Sequence, residues 1–206
     1  MASNLPNLPQ RRSGSFRDIA NAFLAGEGLP FQSILSGERI AAVFAKHNGM
    51  FGGHGIYSTC VVLWAFLSQV LRDGKQAACQ SAVSIIVIYC SINGIEAPCD
   101  DTGNYCKAGQ KLSCAALLEL STEVAKEMEE EADSKWLWKG KYHANLVDGT
   151  TFTMPDTESN QGAFPQQKGQ KPGIGFPIAR ATAILSLATA CIMDIATGPY
   201  QGKETG

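Results

Sequence analysis

The hydrophobic pattern of this chain changes period once, near residue 140, and that change limits what it can fold into. Up to about residue 132 apolar residues recur at helical spacing. From Lys141 onward they fall in short alternating or β-branched runs separated by turns. Side chains three and four apart share a helix face, whereas alternate side chains share a strand face. A block of helices followed by a block of strands reads as α+β.

The helical block breaks into pieces. Phe16, Ile19, Ala20 and Phe23 recur at helical spacing until Gly26-Glu27-Gly28 and Pro30 interrupt them. Ser36 can then cap a helix whose face is Ile40, Val43 and Phe44. Residues 48–55 are glycine-rich. A phosphate loop would need a buried strand before it and, for nucleoside triphosphates, a Gly-Lys-Ser/Thr ending. Neither is present, so the segment reads as a linker between helices. Tyr57 to Leu71 reads as a buried helix with Val61, Trp64, Ala65, Leu67 and Leu71 inside. Gln76 to Ile92 reads as another, although Ile85-Ile86-Val87-Ile88 has strand propensity. Residues 93–104 read as a loop. Leu112 to Ala132 reads as a long helix whose acidic end, Glu127, Glu129, Glu130, Glu131 and Asp133, is a solvated face.

After a boundary placed at Ser134–Gly140 come His143–Asp148 and Thr150–Thr153, a loop over 156–175, then Ile178–Leu187 and Cys191–Thr197. The last two are alanine-rich and fit a helix equally well on pattern alone. The expected organisation is a polar arm over 1–15, a helical domain over 16–135 and a strand-rich domain over 141–206. With 206 residues, 45% hydrophobic and 17% charged, the chain can bury a core.

Seven cysteines are present and no two are spaced Cys-x-x-Cys. Zinc sites need close ligand pairs, so these read as buried free thiols in a reducing cytosol, with Cys99, Cys106 and Cys114 the best metal candidate among them. The apolar runs Val61–Leu67 and Ile85–Tyr89 are far shorter than the roughly 20 residues that span a bilayer. No secretory leader is visible, and the expected setting is cytoplasmic, with no membrane partner. The net charge of −2 excludes a globally basic nucleic-acid binder, so any DNA contact must be a local patch.

The chemistry-bearing motif is Leu146-Val147-Asp148-Gly149-Thr150-Thr151. By itself an aspartate before glycine is most often a turn residue. Here it ends a hydrophobic run, where a rigid strand can hold a carboxylate out toward a cation. Magnesium takes one or two carboxylates plus water and substrate phosphates. Two such ions roughly 3.5–4 Å apart clamp the attacking and leaving oxygens of phosphoryl transfer.

The residues around that motif resemble the insertion-sequence-four family of DDE transposases. The matching stretches run in fixed order: Val147-Asp148-Gly149-Thr150-Thr151, Met154-Pro155-Asp156-Thr157, Asn160-Gln161, Phe164-Pro165-Gln166, Gln170-Lys171-Pro172-Gly173, Gly175-Phe176-Pro177-Ile178-Ala179-Arg180, Ser186-Leu187-Ala188-Thr189, Asp194-Ile195-Ala196 and Gly198-Pro199-Tyr200. Gly202-Lys203-Glu204-Thr205-Gly206 follows in the same order, and Tyr57 with Leu63 to Val70, and Asp101 to Ala108, are similar to the family's helical amino-terminal part. The resemblance covers most of residues 16–206.

The resemblance implies a ribonuclease-H-like core that opens with three antiparallel strands, of which 178–187 and 191–197 are the second and third. It implies that Asp148 is the first catalytic carboxylate and a ligand of Mg2+, which Mn2+ can replace. The family's second aspartate and final glutamate have no counterpart here, so the chain is expected to be a truncated, catalytically incomplete copy. The implied partners are DNA, as transposon inverted-repeat ends and target, and a second copy or an intact transposase. Arg11, Arg12, Arg17, Arg39 and Lys46 are candidate phosphate contacts in the helical part. Lys168, Lys171 and Arg180 flank the strand-side site, Arg180 fitting a structural ion pair equally well. Asp156 reads as loop chemistry and Asp194 as structural. Ala190 stands where the family more usually has glycine, so that turn is expected to be strained. The alternative reading is a non-catalytic DNA-binding regulator that inhibits transposition. A third is a helical interaction module with an incidental tail.

Overall fold

The computed structural model describes residues 29–200, apart from positions 30, 33, 54, 168, 170 and 172, and the side chain at 75. The polar arm expected over 1–15 and the helical piece expected from Phe16 to the Gly26–Gly28 break lie outside the described residues. Two compact units divide between Leu120 and Ser121.

In the first unit α1 (Gly37–Lys46) begins where expected: the Ser36 side chain accepts from the Arg39 amide at 3.2 Å, and Ile40, Val43 and Phe44 are buried. α2 (Thr59–Val70) is apolar on nearly every face and packs against α1, α3 (Cys79–Ile92) and α4 (Thr102–Gly109). A helix apolar all round belongs in the middle of a bundle. The Trp64 indole donates to the Leu35 carbonyl at 2.9 Å, which satisfies its one polar atom inside that core. α3 is a helix through Ile85–Ile88 because Ala82, Val83, Ile86 and Cys90 make one buried helical stripe.

The stretch 93–104 is a loop only to Asp101; α4 starts at Thr102 and buries Tyr105 and Ala108. Of the seven cysteines only Cys90 is buried, with Cys60, Cys79 and Cys191 half-buried and Cys99, Cys106 and Cys114 exposed. The segment 48–55 lies between α1 and α2, and Gly49 and Phe51 in it are packed. Gly49 lies against Phe44 and Ser113, and Phe51 exchanges hydrogen bonds with Thr59. α5 (Cys114–Glu130) runs across the division between the units.

The second unit is a three-stranded antiparallel sheet in the order β1 (Asn145–Thr153), β2 (Ile178–Ser186), β3 (Ile192–Pro199). The alanine-rich segments that fit either period are therefore strands. The register pairs Asp148 with Ala183 and Thr182 with Ala196, with an irregularity between Ile184 and Leu185. A short helix, α6 (Glu158–Ala163), capped by Thr157, interrupts the loop expected over 156–175. Gln161 and Gln166 hold that loop together: Gln161 donates to Asp156 and to the Gly175 carbonyl, and Gln166 accepts from the Gly173 and Gly175 amides. The chain is α+β as expected, with six α-helices and one sheet among the described residues.

Candidate functional site

Asp148 is the fourth of nine residues in β1, an edge strand exposed along its whole length. Valine, threonine and phenylalanine around it favour the pleated backbone. Its carboxylate accepts from the next amide, Gly149, at 2.8 Å. Cross-strand pairing sets it in a row with Ala183 and Ile195 on one face of the sheet. Asp194 pairs with Ile184, the neighbouring residue of β2, so it belongs to the opposite face. It makes the same local contact, accepting from the Ile195 amide at 2.8 Å. Asp156, in the loop after β1, takes the Gln161 side chain at 2.8 Å. Among the described residues no three His, Cys, Asp or Glu side chains gather closely enough to hold a metal ion. That includes Cys99, Cys106 and Cys114. One exposed carboxylate, with an oxygen already on an amide, does not make a magnesium site, and no step through a metal follows for these residues alone.

The basic candidates are dispersed. Arg11, Arg12, Arg17 and Lys168 lie outside the described residues. Arg39 is half-buried in the first turn of α1. Lys46, seven residues later on the same helix, donates to Glu119 at 2.7 Å, and His47 takes the other oxygen of that carboxylate at 2.6 Å. The Lys46 hydrogen bond, then that of His47, holds the Glu119 carboxyl below its ordinary range. Lys171 is exposed in the loop before β2, and its carbonyl accepts from Gln166. Arg180 faces Thr151 and Gly198 across β2, and its guanidinium passes beside Gly149.

Two features of the second unit escaped the sequence reading. Glu129 sits within a run taken as a solvated acidic face, yet its side chain is only 12% exposed. Its carboxylate meets His143 Nδ1 at 2.6 Å and accepts from Thr189 Oγ1 at 2.8 Å. The hydrogen bond from Ser186, followed by those from Thr189 and His143, holds its pKa down. The signal in the sequence was spacing: Glu129 lies four residues after buried Ala125 on the same helix face. Ser186 is itself buried and accepts from the Ala188 and Thr189 amides. The cluster therefore ties the end of α5 to the β2–β3 turn.

The second feature is the tight turn over 138–142, closed by the Trp138–Tyr142 bridge, with Lys139 and Gly140 at positive φ. Trp136, Trp138 and Tyr142 are all exposed. Lys139 lies over the Trp138 ring at 4.4 Å and Lys141 over Tyr142 at 5.4 Å. In the first unit a surface groove of about 360 Å3 is lined by Gln80, Val83, Ser84, Val87, Ile88 and Asp100. It holds no pairing of nucleophile and base.

Comparison with protein families, curated proteins and solved structures gives no match to this chain. No helix among the described residues is long and apolar enough to cross a membrane.

Proposed function

We propose that this chain is the helical region and opening sheet of a ribonuclease-H-like DDE transposase of the insertion-sequence-four type, acting on DNA at transposon ends. One observation carries the reading. Asp148, which the resemblance assigns to the metal, stands exposed on the first strand of a three-stranded antiparallel sheet whose β2 and β3 cover the segments that the resemblance makes strands two and three. The exposed lysines and aromatic rings of the 134–142 segment support contact with a nucleic acid, since rings stack on bases and lysines meet phosphates.

Metal-clamped phosphoryl transfer needs several carboxylates converging from different strands. This chain has one residue in that role, so the proposed activity is DNA binding without strand cleavage by the chain alone. An electrophoretic binding assay against the inverted-repeat ends flanking the gene tests it. The expected result is binding that survives Asp148→Ala, with no cleavage in magnesium by either form. Equal affinity for unrelated duplex would sink the end-recognition reading, and magnesium-dependent nicking would overturn the incomplete-site reading. A regulatory role, pairing with intact enzyme, is favoured by the exposed edge of β1. It predicts that added chain lowers the transposition frequency of an intact element.

A further inference from the structure

Trp138 and Tyr142 stand opposite each other across the 138–142 turn. Each amide donates to the other's carbonyl, at 2.9 and 3.0 Å. Directly opposed residues put their side chains on one side of a strand pair, and here the ring centroids lie 5.9 Å apart at a tilt of 48°. Lys139 and Gly140, at φ +55° and +67°, close the turn, and the Gly140 amide donates to the Leu137 carbonyl at 3.0 Å. Backbone bonding therefore sets the ring pair, while Trp138 stays 58% exposed and Tyr142 50%. Trp136, just before them, is exposed too, so two of the chain's three tryptophans stand in water. Rings left in water forgo the burial that holds most aromatics inside, which marks a contact surface. Its charge says what kind. Residues 134–142 contain Lys135, Lys139 and Lys141 and no acidic residue, in a chain of net charge −2. Of the carboxylates preceding the turn, Asp133 is paired with Lys135 at 2.7 Å and Glu129 with His143 at 2.6 Å, which reduces their repulsion of a phosphate.

We infer that the 138–142 turn is a stacking platform for an unpaired nucleic-acid strand, its rings taking bases and its lysines the adjoining phosphates. The inference rests on the nucleic-acid part of the transposase reading and narrows it to bases that are out of the duplex.

In a duplex each base face is covered by its neighbours in the stack, so lysines alone would find partners and the rings would find none. An unpaired base offers a bare face, which stacks on an aromatic ring whatever the base is. Lys139 lies over the Trp138 ring at 4.4 Å and Lys141 over Tyr142 at 5.4 Å. An exposed cation–π contact is weaker than a base stack, so an arriving base displaces the ammonium from the ring, and the ammonium meets the phosphate beside it. The same two contacts disfavour a lipid surface. Sinking these rings among acyl chains would carry the ammonium groups with them, away from water.

The test uses the full chain with a fluorescently labelled oligothymidylate, and a labelled hairpin duplex of equal backbone length for comparison. Anisotropy is read over a series of salt concentrations. The expected result is tighter binding to the single strand, with quenching of tryptophan emission. Trp138→Leu and Tyr142→Leu should each weaken that binding about 5-fold or more and leave its salt dependence unchanged. Trp138→Phe should restore most of the loss. Lys139→Gln and Lys141→Gln should each lower the slope of log affinity against log salt by about 0.7 and keep the quenching. Urea midpoints show whether a variant has a folding defect. Where a ring variant fails to fold, the lysine variants and the native chain's preference between single strand and duplex decide. Equal or tighter binding to the duplex overturns the inference. So does single-strand binding that neither ring substitution weakens, or capture by phosphatidylserine vesicles that Trp138→Leu abolishes while oligothymidylate binding is untouched. Recognition of transposon ends without any preference for oligothymidylate would remove this inference and leave the transposase reading standing. The reverse pattern would remove end recognition and leave the platform.

Discussion

Single residues carry the sharpest consequences. Ala190 has φ +59° in the β2–β3 turn, the strain that an alanine in a glycine position leads one to expect. Relief of that strain is partly offset by the greater freedom glycine gives the unfolded chain. Ala190→Gly should therefore raise stability by up to about 1 kcal/mol, read as a higher urea midpoint. Glu129 works the other way. Its folded pKa is depressed, so the stability it contributes is present above the ordinary value of 4.5 and is lost as pH falls through the folded value. Glu129→Gln should cost on the order of 1–3 kcal/mol at neutral pH. The gap between variant and native chain should narrow in urea melts as pH drops below 4.5. A gap that persists unchanged in acid would mean the carboxylate charge is not what stabilises the turn. Neither Glu129's partners nor its burial could be read locally, because His143 and Thr189 lie 14 and 60 residues away in the chain.

At the scale of elements, helix boundaries followed local chemistry. Ser36 capped α1, and one stripe of apolar residues made α3 helical against the strand propensity of its isoleucines and valine. The helix α4 was missed because its eight residues, Thr102–Gly109, are polar on average and contain glycine at both ends of the run. Burial of Tyr105 and Ala108 against α2 and α3 supplies what local propensity lacks. The glycine-rich connection has a stricter role than a linker. Gly52 has φ +68°, and a Cβ there would lie 2.4 Å from the Tyr57 carbonyl oxygen. Gly52→Ala should cost about 2 kcal/mol or more, from overpacking and strain together. Gly53→Ala, which would meet nothing within 4 Å, is the control expected to be near neutral in the same thermal melts.

At the scale of the whole molecule, β1 is exposed along its length. Leu146, Val147, Phe152 and Ile195 all reach solvent, Val147 being 63% exposed, and among the described residues β1 pairs on one side only. An apolar edge of this kind associates. The chain should self-associate with rising concentration, and Val147→Lys should reduce that association with little change in unfolding midpoint, as measured by sedimentation velocity beside urea melts. A native chain that stays monomeric over the same range would contradict it. The division into α and β parts, the cap at Ser36 and the stripe of α1 were legible in the amino-acid order because they depend on neighbours within a few residues. The strand identity of 178–186 and 192–199 was implied by the family resemblance but not by the local pattern, since their alanines suit either period. Cross-strand pairing shows it, by giving β2 a hydrogen-bonded neighbour strand on each side. Pairing also decided what surrounds Asp148: its exposure on an edge strand, and Asp194 on the far face, follow from register, which no local pattern encodes.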